Sequence, residues 1–407
     1  MSNIFLTAGC RVYQSALYLA CFFLNWRKPK IISGEGCISS LGDSLPEGSR
    51  ALIVTDGGIR SLGLIDGLLE GLSKNNVIYN VYDKVTPNPT ISCVEDGVKL
   101  ALNMGFEPKK DAVIAVGGGS PIDCAKLIAA RLVCRNKSIS DMAGLLHVRR
   151  RLPDLYAAPT TSGTGSETTL AAVVTDSETR HKYPVNDTVL IPRYAVLDPA
   201  LTRGLPQSLT ASTGMDTLCH AVEAYIGHSN TRQTKKDALE TVRLVFSALP
   251  EAYSDGNNIQ ARADMQKAAY LGGRAFTRAY VGAIHAVAHS LGAFYNVPHG
   301  LANAIIMPYV LRYYGKSAHK RLAELCDAAE ITVPANATDA QKATAFIDAI
   351  EAMNDSFGFA KGFPELKEED IPALVEHACK ETNPLYPTPR VIDRNDFRNI
   401  YSLLLMK

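Results

Sequence analysis

Four histidines and an aspartate fall at spacings that suit a metal ion. Asp216 and His220 stand four residues apart, and so do His285 and His289. That spacing sets both members of each pair on one helix face. His299 follows at a Pro298-His299-Gly300 turn. The neighbouring residues are mostly apolar, and unpaired polar groups are costly there. A divalent cation would compensate several of them at once. Nitrogen and carboxylate donors without thiolate suit Fe(II), Zn, Ni or Mn. Spacing leaves five candidates for about four places, and it does not say which histidine stands outside the set. Cys219 adjoins His220 and is expected on another face. His147, His181, His228, His319 and His377 are isolated and read as ordinary histidines.

The first half carries a different chemistry. A strand-like run, Asp111 to Val116, leads into Gly117, Gly118, Gly119, Ser120 and Pro121, then into a helical stretch with Asp123 and Lys126. Glycines let a ligand approach the backbone, and a helix start presents free N–H groups and a positive dipole. Together they make a pyrophosphate site, with Ser120 expected as N-cap and Pro121 as the first helical residue. A second loop, Pro159 to Glu167, adds Thr160, Thr161, Ser162, Thr164 and two glycines. Glu167 reads as ordinary capping chemistry. Neither loop has the Gly-x-Gly-x-x-Gly or Walker pattern. Asp56 ends the first strand, where a carboxylate can accept from a ribose 2′-hydroxyl and would repel a 2′-phosphate. That favours NAD over NADP. A simple Asp-Gly turn accounts for it equally well.

These residues need elements to hold them. Short β-rich runs (51–55, 77–82, 112–116, 155–158, 194–197) alternate with helical stretches (59–72, 91–104, 121–132). Such alternation predicts a mostly parallel sheet covered by helices. After about Pro206 helical periods dominate. The expected fold is therefore an α/β domain over residues 1–205 followed by an all-α domain over residues 206–407. Lys+Arg of 42 against Asp+Glu of 41 gives no drive toward nucleic acid or an anionic membrane. Nine scattered cysteines without a CxxC pair point to reduced thiols and a cytoplasmic setting. Residues 10–27 are apolar and aromatic, yet short for a membrane span and interrupted by Gln14. They are expected as a helix lying on the protein's own surface or on a partner subunit.

Taken together, Thr55-Asp56, Pro87–Thr90, Gly117–Lys126, Pro159–Glu167, Gly214–Tyr225 and Gly282–His299 resemble the iron-containing alcohol dehydrogenase family. The resemblance implies an N-terminal dinucleotide-binding α/β domain and a C-terminal helical domain of the dehydroquinate-synthase-like fold, with the site in the cleft between them. It implies that Asp216, His220, His285 and His299 bind the metal, Fe(II) or Zn, and that His289 relays a proton near the substrate. For NAD it points to Asp56, Asn88, Gly117, Gly118, Gly119, Ser120, Pro121, Asp123, Thr160, Thr161, Thr164, Lys182 and Leu201. It also implies a homodimer. The expected reaction is hydride transfer between a primary alcohol or diol and NAD, with a Lewis-acid cation acidifying the alcohol. A glycerol-type polyol dehydrogenase is the alternative on the same scaffold. A lyase would want a Lys- and Arg-rich pocket, and these motifs are apolar. An inactive relative would want a broken metal set, and all the expected residues are present. Two features depart from the family pattern: the apolar start, and the bulky stretch Phe276 to Tyr280, which would restrict the pocket if it lines it.

Overall fold

The computed structural model describes residues 2–178 and 181–406. The first element is helix α1 (Ser2–Ala20), followed by a 3-10 turn, Cys21–Phe23. The helix thus starts and stops earlier than the expected 10–27. The chain then divides into two compact units. An α/β unit comprises Asn25–Leu205 and Gly256–Tyr270. A helical unit comprises the chain up to Leu24, Pro206–Asp255 and the chain from Leu271 onward. Two segments therefore group otherwise than expected. The start of the chain joins the helical unit because Arg11 and Gln14 of α1 bond to backbone carbonyls of 384–389. Gly256–Tyr270 joins the sheet because Gln266 donates to the carbonyls of Pro159 and Asp198, and Tyr270 to that of Pro29.

In the α/β unit, strands β1 (Lys30–Ser33), β2 (Arg50–Val54), β3 (Ile78–Tyr82), β4 (Ala112–Gly117), β6 (Asp154–Pro159) and β9 (Tyr194–Leu197) form one sheet in the order β1-β9-β6-β4-β2-β3. Every pairing in it is parallel. Residues 112–117 are all buried, as a strand covered on both faces requires. Leu52, Val113 and Leu155 face one core, and Ile53, Ile114 and Tyr156 face the other. Helices α2 (Gly57–Ser61), α3 (Asp66–Lys74), α4 (Ile91–Asn103) and α5 (Gly119–Val133) connect the strands. The single helix expected over 59–72 is broken in two, because Gly63 adopts a left-handed conformation at φ 69°. A small second sheet, not anticipated, joins β5 (Gly144–Leu145), β8 (His181–Asn186) and β7 (Ala171–Asp176) in that order.

The chain reverses direction across the large sheet between β2 and β4. From β2 it moves outward to β3, then returns past β2 to β4 and on to β6 and β9. Ligands of open α/β sheets bind beside the carboxyl ends of the strands at such a switch. Asp56 follows β2 there, and Gly117 ends β4 with Gly118 and Gly119 directly after it.

The helical unit carries α6 (Gln207–Ile226), α7 (Arg232–Ser254), the second half of α8 (Ile259–Ala279), α9 (Ala283–Tyr295), α10 (His299–Tyr314), α11 (His319–Ala328), α12 (Asp339–Ser356), α13 (Ile371–Thr382) and α14 (Arg394–Leu404). Helix α6 is central, and every residue from Gly214 to Ile226 is buried. It packs against α7 and α10, and α10 packs against α9. The first turn of α10 comes close to α6. A Cβ on Gly300 would stand 2.4 Å from the Ser212 carbonyl oxygen. That close approach brings His299 to Asp216.

Candidate metal centre and cofactor loops

Helices α6, α9 and α10 bring Asp216, His220, His285 and His299 together. One ligand atom from each lies within 4.8 Å of all the others. Asp216 Oδ1 is 3.9 Å from His220 Nε2, 3.9 Å from His285 Nε2 and 3.6 Å from His299 Nε2. Asp216, His220 and His285 are buried, and His299 is exposed. Burial pushes the Asp216 carboxyl up, but His220, His299 and the Asn303 amide outweigh it and hold the group below its ordinary pKa. Burial, with His220, His299 and His289 adding to it, holds His285 well below its ordinary pKa. Asp216 is then a carboxylate and His285 a neutral imidazole, which are the ligating forms. The donors are hard-to-intermediate oxygen and nitrogen on a scale that admits Fe(II) or Zn. The residues present fit such an ion.

Three further residues shape this cluster, and residue spacing alone did not single them out. Glu223 accepts from His285 Nδ1 at 2.6 Å, and from the backbone N–H groups of Gly282 and Ile284 at 2.8 Å each. A carboxylate behind a ligating imidazole fixes its tautomer and turns Nε2 toward the ion. Glu223 lies one turn beyond His220 on α6, so an i, i+3 search for carboxylates would have found it. Asn303 lies one turn into α10 from His299. Its Nδ2 donates to Asp216 Oδ1 at 2.7 Å and lies 3.2 Å from His285 Nε2 and 3.1 Å from His299 Nε2. Cys219, expected on another face, reaches the cluster from behind, with Sγ 3.7 Å from His285 Nδ1.

His289 stands apart from the four. Its ring stacks on His299 at 5.1 Å between centroids, and its Nδ1 is 2.6 Å from Glu381 Oε1. Of the bulky stretch before His285, Phe276 lies on the histidines, stacked on His220 at 4.1 Å. Arg278 and Tyr280 point neither there nor into solvent. The Arg278 guanidinium sits 5.3 Å from the ring centroids of Tyr18 and Phe22, and the Tyr280 hydroxyl is 3.7 Å from Cys21 Sγ. Among the isolated histidines, His147 and His228 bond to backbone carbonyls, and the side chain of His181 lies outside the described part of the structure.

In the α/β unit the two loops lie side by side. The N–H of Thr160 donates to the Gly117 carbonyl at 3.0 Å. A Cβ on Gly118 would stand 3.6 Å from Thr161, and one on Gly119 would stand 3.2 Å from Thr164. Gly117 has φ 152°, and a Cβ there would meet Pro121 at 2.5 Å. Helix α5 begins at Gly119 with Gly118 as cap, so Ser120 and Pro121 lie in its first turn instead of at its cap and first position. The bare backbone suffices because Pro121 has no N–H to satisfy. This glycine-lined cradle at a helix start fits a dinucleotide phosphate.

The remaining predicted residues divide into two groups. Asn88 and Lys182 meet, Oδ1 accepting from Nζ at 2.7 Å. Asp56 caps α2, accepting from the Ile59 N–H at 2.9 Å. Asp123 and Leu201 are engaged structurally. Asp123 accepts from Ser166 Oγ and the Val173 N–H, and Leu201 is packed in the core. Glu167 is not solvent-facing capping chemistry. It is buried, burial pushes its carboxyl up to about 7, and its Oε1 has no hydrogen-bond partner among the described residues.

The iron-containing alcohol dehydrogenase profile matches residues 28–199, and the profile of the Fe-containing alcohol dehydrogenase family, C-terminal, matches residues 210–405. Alcohol dehydrogenase 4 of Saccharomyces cerevisiae (strain ATCC 204508 / S288c) is 36% identical over 362 residues, covering 86% of this chain and 92% of that protein. The NAD-dependent methanol dehydrogenase of Bacillus methanolicus is 34% identical over 370 residues, covering 88% and 95%. The crystal structure of a 1,3-propanediol oxidoreductase superimposes with a TM-score of 0.87 at 32% identity, covering 94% of this chain and 100% of that one. A metal-dependent, NAD-linked oxidoreductase acting on CH–OH donors is the class these features define. The chain belongs to the iron-containing alcohol dehydrogenase family.

Proposed function

We propose that the protein interconverts a primary alcohol or diol with its aldehyde, using Fe(II) and NAD. The carrying observation is the convergence of Asp216, His220, His285 and His299 within 4.8 Å, the first three of them buried. In this reading those four residues hold the metal. Asp56, Asn88, Gly117–Pro121, Asp123, Thr160, Thr161, Thr164, Lys182 and Leu201 form or support the dinucleotide site. When bound, the cation supplies Lewis acidity to the alcohol and the nicotinamide accepts hydride. Glu223 holds the His285 tautomer. Phe276, stacked over His220, keeps that side of the cluster apolar and limits substrate width. His289, at the exposed edge of the cluster, accepts the alcohol proton and passes it to solvent.

Short primary alcohols and diols are favoured over polyols, because Phe276 and the apolar α9 present few hydrogen-bonding groups to extra hydroxyls. The nine cysteines are all free, which supports a reducing, cytoplasmic compartment. Among the described residues no helix is long and apolar enough to cross a membrane. Ile4, Phe5, Val12, Leu19 and Phe23 are exposed and support a homodimer, which size-exclusion chromatography at several concentrations would test.

The deciding experiment pairs metal analysis of anaerobically purified protein with alcohol-dependent NAD reduction before and after chelation. Loss on chelation and recovery with Fe(II) is the expected result, and recovery with Zn alone would reassign the metal. Stoichiometric metal without turnover on any alcohol would refute the substrate class. A well-folded protein that binds no metal would refute the whole reading.

A further inference from the structure

The seam between α4 and α5 holds two sulfurs that neither the metal cluster nor the cofactor loops use. Cys93 lies in the first turn of α4 and Cys124 in the second turn of α5, and their Sγ atoms are 3.9 Å apart. One turn further along each helix, Gly97 meets Ile128. A Cβ on Gly97 would stand 2.3 Å from Ile128 Cδ1. Residues 93 and 97 share one face of α4, and 124 and 128 share one face of α5, so both contacts belong to one line of approach. Tyr82, at the end of β3, reaches the same place. Its hydroxyl is 2.7 Å from the Cys93 carbonyl oxygen and 3.4 Å from Cys93 Sγ. Cys124 has no exposed surface, and Cys93 keeps 8%. The hydrogen bond from the Cys124 thiol, helped by that from Tyr82, outweighs burial and holds the Cys93 thiol below its ordinary pKa. The same contact, together with burial, pushes the Cys124 thiol well up.

We propose that Cys93 and Cys124 are a modification site, an internal disulfide formed by hydrogen peroxide, and that this bond weakens dinucleotide binding. The second half rests on the reading of the Gly117–Pro121 loop as the phosphate site. Cys93 attacks first, because it is the sulfur an oxidant can reach and the more acidic of the two. Its electron pair attacks one peroxide oxygen. An S–O bond forms, the O–O bond breaks, and the other oxygen leaves as water with the Cys93 proton. The Cys124 sulfur then attacks the Cys93 sulfur. The S–S bond forms, the S–O bond breaks, and a second water leaves with the Cys124 proton. The two sulfurs are oxidised by two electrons in all, and the peroxide is reduced to water. A disulfide sets its sulfurs about 2.05 Å apart, so roughly 2 Å must close. Gly97 against Ile128 stops the helices from closing at that end, and the movement falls on the two helix starts. Those starts carry the cofactor candidates. Asn88, at a left-handed φ of 54°, stands just before the Thr90 cap of α4 and accepts from Lys182. Gly118 and Gly119 open α5. In a reducing compartment the pair rests as thiols, and such a bond forms transiently under oxidant.

The test uses the full chain loaded with Zn(II), which has no redox chemistry of its own with peroxide. The protein is treated with limiting hydrogen peroxide, its remaining thiols are alkylated, and unreduced peptides are mapped by mass spectrometry. The expected result is a cross-link joining Cys93 to Cys124 that dithiothreitol removes, with the other seven of the nine cysteines alkylated. The dissociation constant for NADH, read by fluorescence titration, should rise at least about fivefold in the oxidised protein, the low end for coupled sites, and return on reduction. Cys93→Ser should show neither the cross-link nor the affinity loss, and Cys93→Ala serves if that variant folds poorly. Cys124→Ser should leave a Cys93 sulfenic acid that dimedone captures. No cross-link, or one between other cysteines, would overturn the site. A Cys93–Cys124 cross-link with unchanged NADH affinity would overturn its effect on the cofactor loops, and so would an affinity loss that persists in Cys93→Ser. If the reduced protein binds no NADH, the cofactor reading fails separately, and the peptide map still decides the disulfide.

Discussion

Glu223 binds no ion in the proposed set, yet it governs which nitrogen of His285 is free. It is buried behind the ring and accepts three hydrogen bonds. Glu223→Gln keeps the shape and can present an amide donor where an acceptor is needed. Metal affinity should fall by about 10–100-fold, as outer-shell changes do, measured by competition with a chelator. Asp216→Ala should go further and leave purified protein without stoichiometric metal. Retention of both metal and turnover in that variant would refute the ligand assignment. Phe276→Ala opens the space over His220, and the variant should accept bulkier alcohols with a lower KM. Identical substrate profiles would remove Phe276 from the pocket wall.

At the scale of elements, the two loops depend on backbone shape more than on side-chain chemistry. Gly117 combines a positive φ with a Cβ position filled by Pro121. Gly117→Ala should distort the start of α5 and raise the dissociation constant for NADH about tenfold or more, read by fluorescence titration, while metal content stays stoichiometric. Equal NADH binding would show that the cradle is not the phosphate site. Periodicity located α4 and α5 to within a residue or two, because long amphipathic or buried runs carry that signal. It missed the break at Gly63, where one residue of left-handed backbone ends a helix whose apolar pattern continues. It also missed the second sheet, whose strand β5 is two residues long and pairs with Val185 and Asn186 far along the chain.

At the scale of the molecule, buried acids make stability depend on pH. Burial raises the Glu167 carboxyl to about 7 in the folded state, above its ordinary 4.5. Between those values the folded state holds a proton the unfolded state has lost. Stability from this group is therefore full below about 4.5, falls as pH rises toward 7, and is gone above it. Glu167→Gln should raise the melting temperature more at pH 8 than at pH 5. An equal shift at both values would show that Glu167 is not buried in an unpaired state.

The candidate metal-site pattern was legible because Asp216 and His220, and His285 and His289, carry their geometry within single helices, where 3.6 residues per turn fixes which side chains are neighbours. The glycine loop was legible for a similar reason, since glycine, serine and proline at a strand-to-helix junction act locally. Sequence spacing offered five residues for about four places. Only tertiary packing brought His299 to Asp216 and turned His289 toward Glu381, because those contacts join helices α6, α10, α9 and α13 across tens of residues. The same holds for Glu223 against the start of α9, and for α1 against 384–389. A carboxylate's partner in such cases is set by where two helices cross, and no local pattern encodes that crossing.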